Sequence, residues 1–250
     1  MIAYILLIGH FLADFFFQPV YLVEKKKHSI KFLLLHSAIY LITISILSFL
    51  FIEFHSAILI VLILSFIHFI IDFIRIKCDA KFDNHIFQFV SFITDQVIHI
   101  FTVIIVSYLF NLNEHVNYIY AKLQSYQVFE KTVLYIFLIV VLLEPTAVLI
   151  KKLFAFILKG KTDNIEDSEN SENSKNSINA GKLIGELERI ITSMLILCDQ
   201  YNALGFVLTA KSIARFKKME DQDFAEKYLV GTLTSLTISL LITIFIKSLL

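Results

Sequence analysis

An all-α, polytopic transmembrane helical bundle is the fold class this sequence predicts, and three observations predict it. The 250 residues are 57% hydrophobic and 18% charged, with a mean hydropathy of +0.75. Ordinary soluble domains sit near 45–50% apolar and about 25% charged. The apolar residues also fall in runs of about 20, the length at which a helix crosses a hydrocarbon core of about 30 Å. Finally, the runs do not alternate with period two, and only two prolines and six glycines interrupt the chain. Long helices then satisfy the backbone in lipid, where strands would not.

Taken in order, the spans expected are Ile2–Val23, Lys31–Ile52, Ser56–Ile76, Ile86–Phe110, Thr132–Ile150 and Leu229–Leu249. Met1 leads straight into the first run with no basic segment before it, so that run reads as a retained helix and not as a signal peptide. The basic residues set an orientation. Lys25, Lys26, Lys27 and Lys31 follow the first span, and Arg75, Lys77 and Lys81 follow the third. Lys151, Lys152, Lys159, Lys161 and Lys175 follow the fifth, whereas the second and fourth connections carry few cations. An outside N-terminus with the basic loops cytoplasmic fits this alternation, in a multi-pass protein of the cell's inner membrane. The sixth connection, with Lys211, Arg215, Lys217, Lys218 and Lys227, is again basic. The intervening Leu183–Leu208, interrupted by Glu186, Glu188, Arg189, Asp199 and Gln200, is therefore expected to enter and return without crossing, turning near Asp199–Asn202. Three regions result: a bundle over 1–158, a polar linker over 159–179 whose composition resists packing, and a C-terminal membrane unit over 180–250.

Cys78 and Cys198 are far apart and form no CxxC motif, so neither a disulfide framework nor a thiolate metal site is expected. The formal net charge of zero gives no field for nucleic acid.

Three polar pairs lie inside the spans: His10 with Asp14, His68 with Asp72, and Asp95 with His99. A spacing of four puts both members on one helix face. Chance placement of the histidines and aspartates gives about 0.6 such pairs. The first and third spans even share the pattern His-Phe-x2-Asp-Phe, as a duplicated two-helix unit would. At 1.5 Å per residue, Asp14 and Asp95 lie about 13 Å from the expected cytoplasmic ends of their helices. Asp72 lies about 6 Å, His36 about 8 Å and Glu144 about 9 Å from theirs. A charge at such depth is costly without a partner. A divalent cation is one partner: His10, His36, His68 and His99 with Asp14, Asp72 and Asp95 make a mixed N/O donor set suited to zinc, manganese or iron. With an open position, such an ion activates water, and one of Asp14, Asp72 or Asp95 then doubles as general base. Two other readings stand beside it: hydrogen-bonded struts between helices, the more natural role for His36 with no acid one turn away, and a path for protons or ions. His28, His55, His85 and His115 fall in connections or at span ends and read as surface residues.

In the C-terminal unit, Gly181 and Gly185 form a small-xxx-small face that permits close helix approach. It offers a surface for a second copy or a membrane partner. Glu188 and Arg189 diverge by about 100° around a helix, so an interhelical ion pair between Arg189 and Glu144, or another buried acid, is expected. Lys211 to Lys218, with Arg215 between them and Ile213, Ala214 and Phe216 interleaved, reads as an interfacial helix on anionic headgroups.

With His10-x3-Asp14, Gln18 one turn later, His36, His68-x3-Asp72 and Asp95-Gln96-x2-His99, the chain resembles a bacterial membrane family known as domain of unknown function 3307. The resemblance covers Ile2–Phe110, and Gly9-His10, Ala13-Asp14 and Asp95-Gln96 are its most specific pieces. Gly181-x2-Ile184-Gly185-x2-Glu188-Arg189, Gly205-Phe206, the stretch from Ala210 to Phe216 and Gly231-Thr232-Leu233 resemble an extension carried by some members. The resemblance implies a membrane location and no particular activity. The polar pattern is similar in kind to that of membrane-bound metal-dependent hydrolases. A hydrolase, a proton or metal-ion carrier, and a non-catalytic scaffold are the functions to be distinguished.

Overall fold

A computed structural model describes residues 1–82, 84–157 and 172–250; the side chains of His85 and 172–180 lie outside that set. Among the described residues the chain is helical, with no strand beyond one isolated bridge between Ile52 and Val116. Among the described residues, five helices are long and apolar enough to cross a membrane: Ile30–Phe51, Phe54–Lys81, Ile86–Leu109, Gln127–Ile157 and Gln222–Lys247. They coincide with five of the six expected spans.

The first run departs from expectation. It is not one helix to Val23. Helix α1 (Ile2–Phe11) passes into a π-helical turn at Leu12–Phe16, the chain breaks, and a short helix α2 covers Val20–Lys25. Pro19 explains the break: it has no N–H to donate and forces Gln18 out of the helical region. The Phe17 amide closes the π turn on the Leu12 carbonyl at 2.9 Å. Ile2–Phe16 is therefore only about 22 Å long, and the depth reckoned for Asp14 along an unbroken helix does not apply.

The chain divides into two compact units, Met1–Val140 and Val141–Leu250. In the first, α3 (Ile30–Phe51), α4 (Phe54–Lys81) and α5 (His85–Leu109) pack in sequence, and α1 lies against α3 and α5. Gly9 allows that last approach, since a Cβ there would sit 2.7 Å from Leu47 Cδ1 and 3.1 Å from Ile44 Cδ1. Asn84 starts α5 by accepting from the Ile86 amide. Asn117 joins two ends at once. It accepts from the Tyr120 amide at the start of α6 (Tyr118–Gln124), and its amide donates to the Phe49 and Leu50 carbonyls at the end of α3. Helix α7 (Gln127–Leu142) completes this part of the chain.

Pro145 lies close to the boundary at 140/141. It separates α7 from α8 (Glu144–Ile157), and α8 packs with the C-terminal helices α9 (Glu172–Leu197) and α11 (Gln222–Lys247). Pro145 cannot donate to the Val141 carbonyl, and Thr146 Oγ1 does so instead at 2.7 Å. Most of the linker expected over 159–179 lies outside the described residues; helix is described from Glu172 onward.

A turn at Cys198–Gln200, with Asp199 at φ 60°, ends α9 where the sequence placed a reversal. Helix α10 (Tyr201–Ala214) then folds back, so that Lys211 meets Glu188 at 2.5 Å. A 3-10 turn at Phe216–Glu220 leads into α11. Among the described residues, no helix packs closely on the small-residue face at Gly181 and Gly185. Of the described atoms, none lies within 4 Å of a Cβ at Gly181, and the Arg189 guanidinium alone, at 3.4 Å, at Gly185. Hydroxyl-bearing residues serve instead, because Ser and Thr are nearly as small and their oxygens can pair: Ser193 and Thr243 share a buried hydrogen bond at 2.7 Å. Gly231 supplies the other close approach, against Phe154 at 2.9 Å.

Candidate metal centre

Four helices of the first unit each bring a histidine to one interior point. His10 ends α1, His36 comes from α3, His68 from α4 and His99 from α5; all four are at most 2% exposed. Asp14 enters from the π turn, Asp72 from α4 and Asp95 from α5. The i to i+4 spacing aims each pair inward, and α1, α3, α4 and α5 supply the convergence. His36 lies 3.5 Å from Asp14 and 3.3 Å from Asp72. His68 Nε2 lies 3.4 Å from Asp14 and 3.1 Å from His36 Nε2. His99 lies 3.5 Å from Asp95 and 3.8 Å from Asp72. His10 lies 3.9 Å from Asp14, with its ring 5.1 Å from that of His99. All seven expected ligands meet. His36, for which a simple strut was the natural reading, stands at the middle of the group.

The carboxylates are held in a common manner. Asp72 Oδ2 accepts from Lys26 Nζ and Asp95 Oδ2 from Arg75 Nη1, each at 2.8 Å. Gln96 Nε2 reaches Asp95 Oδ2 at 3.1 Å and Asp14 Oδ2 at 3.5 Å. Oδ1 faces imidazole nitrogens in every case, and the Oδ2 atoms of Asp72 and Asp14 also lie 3.3 Å from His36 and 3.9 Å from His10. Gln18, with its amide turned to suit its neighbours, donates to the Asp14 carbonyl at 3.0 Å and accepts from Lys26 at 2.9 Å. Tyr40 stacks on the His68 ring, centroids 3.8 Å apart and planes within 8°.

These donors fit a cation. Asp14 Oδ1, Asp95 Oδ1, His10 Nε2 and His99 Nε2 are buried without a hydrogen-bond partner, a costly condition for lone pairs in a low-dielectric interior. Three groups offer ligand atoms mutually within 4.8 Å: His10, His68 and His99; Asp14, His36 and His68; and Asp72, Asp95 and His99.

Lys26, Arg75 and Tyr40 were not singled out by sequence. Arg75 had a signal, three residues after Asp72 and seven after His68, hence on the same face of α4. Lys26 had none, because the break at Pro19 turns it inward. His28, His55 and His115 are exposed, as expected.

The polar residues singled out in the second unit serve that unit. Arg189 is buried, but its expected ion pair with Glu144 does not form. Its Nε donates to the Leu142 carbonyl at 2.5 Å and its Nη2 to the Leu143 carbonyl at 3.1 Å. The bend at Pro145 leaves the Leu142 carbonyl to be satisfied, and a planar guanidinium reaches it and also the Leu143 carbonyl, which the Ala147 amide meets at 3.1 Å. Glu144 pairs instead with Lys182. Glu188 and Lys211 pair with each other, and Arg215 ends α10 half-buried.

Fold and site together define a helical membrane protein with a buried histidine–aspartate centre. The family described as "Protein of unknown function (DUF3307)" matches residues 2–126, half of the chain, and the chain belongs to it. The match contains every residue of the centre. No curated protein and no solved structure matches.

Proposed function

We propose that this protein is a metal-dependent membrane hydrolase whose ion is zinc, manganese or iron, bound by His10, Asp14, His36, His68, Asp72, Asp95 and His99. One observation carries the reading: Asp14 and Asp95 each hold Oδ2 on a polar side chain while Oδ1 faces imidazole nitrogens, buried and without a hydrogen-bond partner. Outer partners that orient a ligating carboxylate while leaving it a free lone pair are a recurrent feature of metal sites. A network serving only to join helices would pair those lone pairs with donors. When bound, the ion supplies Lewis acidity and a water of lowered pKa. Asp14, Asp72 or Asp95 then takes the water's proton, while Lys26, Arg75 and Gln96 hold the carboxylates in register.

The test is metal analysis of the purified full chain. Bound zinc, manganese or iron in stoichiometric amount, lost in Asp14→Asn and Asp95→Asn, supports the proposal; its absence after growth with each metal refutes it. A carrier built on the same residues is the second reading, favoured by the run of close imidazoles from His36 through His68 to His99, with ring centroids 5.2 and 4.3 Å apart. Uptake of protons or metal into proteoliposomes down a gradient would select it over hydrolysis. An outside N-terminus and a cytoplasmic return of α9 and α10 are part of the proposal. So is contact of anionic headgroups with Arg215, Lys217 and Lys218, beside which Ile213 and Phe216 stand exposed. Cysteine labelling at Lys161 and Lys217 from opposite sides would overturn that arrangement.

A further inference from the structure

We infer that the centre holds two divalent ions and that the ligand they take from outside is a phosphate-bearing anion; this rests on the metal reading above and names its substrate class. Seven side chains are more than one such ion accommodates, since zinc takes four ligands in most sites. Two ligand atoms on one ion at 2.0–2.2 Å also cannot stand more than about 4.4 Å apart. Six of the seven divide without overlap into two sets: Asp14, His36 and His68, with contacts of 3.5, 3.4 and 3.1 Å, and Asp72, Asp95 and His99, whose contacts to His99 are 3.8 and 3.5 Å. His10 stands against both, forming a third compact group with His68 and His99. The two sets adjoin: His36 Nε2 is 3.3 Å from Asp72 Oδ2, and the rings of His68 and His99 are 4.3 Å apart. Ions in paired sites stand about 3.5–4 Å apart, a spacing these sets permit. One ion would leave the donors of the other set buried and unsatisfied.

Charge then indicates the substrate. The carboxylates of Asp14, Asp72 and Asp95 against the cations of Lys26 and Arg75 leave one negative charge. Two divalent ions turn this into three positive charges. Asp79, 3.6 Å from Arg75 and half-buried, offsets one at most. An interior this poor in water does not tolerate such an excess. An anion with several oxygens, able to touch both ions, relieves it, and a phosphate ester is that kind of anion. The reaction is hydrolysis: the water oxygen bonds to phosphorus, the ester P–O bond breaks, and the departing alcohol takes up the water's proton.

The full chain, stripped of metal in detergent micelles and reloaded with manganese(II), tests both parts. Two ions per chain, with the exchange-coupled paramagnetic resonance of a manganese pair, are expected. One ion per chain overturns the pair while leaving the metal reading intact, and none overturns both. Asp14→Asn with His36→Ala should retain one ion, as should Asp95→Asn with His99→Ala. The wild-type count decides the matter if either variant fails to fold. Inorganic phosphate should alter the coupled signal; an unaltered signal overturns the phosphate assignment. Phosphate released from phosphatidylcholine vesicles containing phosphatidic acid marks a lipid source, and release from glycerol phosphate alone a soluble one. Release from neither overturns the substrate class.

Discussion

Lys26→Met separates a metal centre from a salt-bridged strut. The ammonium sits 2.8 Å from Asp72 Oδ2, and the two side chains are 11% and 3% exposed. Methionine keeps most of the volume and leaves the Asp72 charge buried without its cation. Losing one member of such a pair destabilises by about 3–5 kcal/mol, and the slight exposure of Lys26 places the metal-free loss near about 3 kcal/mol. A divalent ion beside Asp72 replaces the missing charge, so the loss with metal should fall to about 1 kcal/mol. By linkage, the difference of about 2 kcal/mol must appear as metal binding tightened roughly 30-fold. Reversible unfolding of wild type and variant in detergent, once with chelator and once with saturating manganese, measures both losses, and direct titration checks the affinity. An equal loss under both conditions would mean that no ion neighbours Asp72, and the metal reading would fall.

Gly9→Val should destabilise by about 1–3 kcal/mol through overpacking, because the added carbons meet Leu47 and Ile44. Metal content should drop with it, since α1 carries His10. Arg189→Met should cost about 1–3 kcal/mol by leaving the Leu142 carbonyl without a donor, whereas Lys182→Met, at an exposed pair, should cost under about 1 kcal/mol. Comparable losses in unfolding experiments would contradict the capping role of Arg189. Lys247 beside Asp199 holds that exposed carboxyl below its ordinary value of 3.8. A depressed carboxyl stabilises the fold above its unfolded value and loses that contribution as pH falls through the folded one. Acid titration below about pH 4 should therefore loosen the α9–α10 turn, with amide exchange as the readout, and Lys247→Met should weaken this acid dependence, leaving the part due to the Tyr201 hydroxyl.

The sequence by itself determined the helical class and five of the spans, because lipid requires every backbone group to be satisfied within its own segment. It also pointed to three histidine–aspartate pairs. Period-four spacing is a local property, so His10 with Asp14, His68 with Asp72 and Asp95 with His99 could be read as inward-facing pairs before any packing was known. The break before Pro19 was legible in principle, since proline acts on its immediate neighbours, although an apolar run of sufficient length concealed it. Only the tertiary structure decided which carboxylate meets which imidazole, that His36 completes the group, and that Lys26 and Arg75 turn inward to Asp72 and Asp95. It alone also showed that Arg189 reaches the Leu142 and Leu143 carbonyls and that Ser193 meets Thr243 across a close helix contact. The physical reason is common to these cases. Whether a polar group pairs with an ion, a carbonyl or another side chain depends on what the neighbouring helix presents at that height, and helix register is fixed by interdigitation over the whole contact, which no single stretch of sequence encodes.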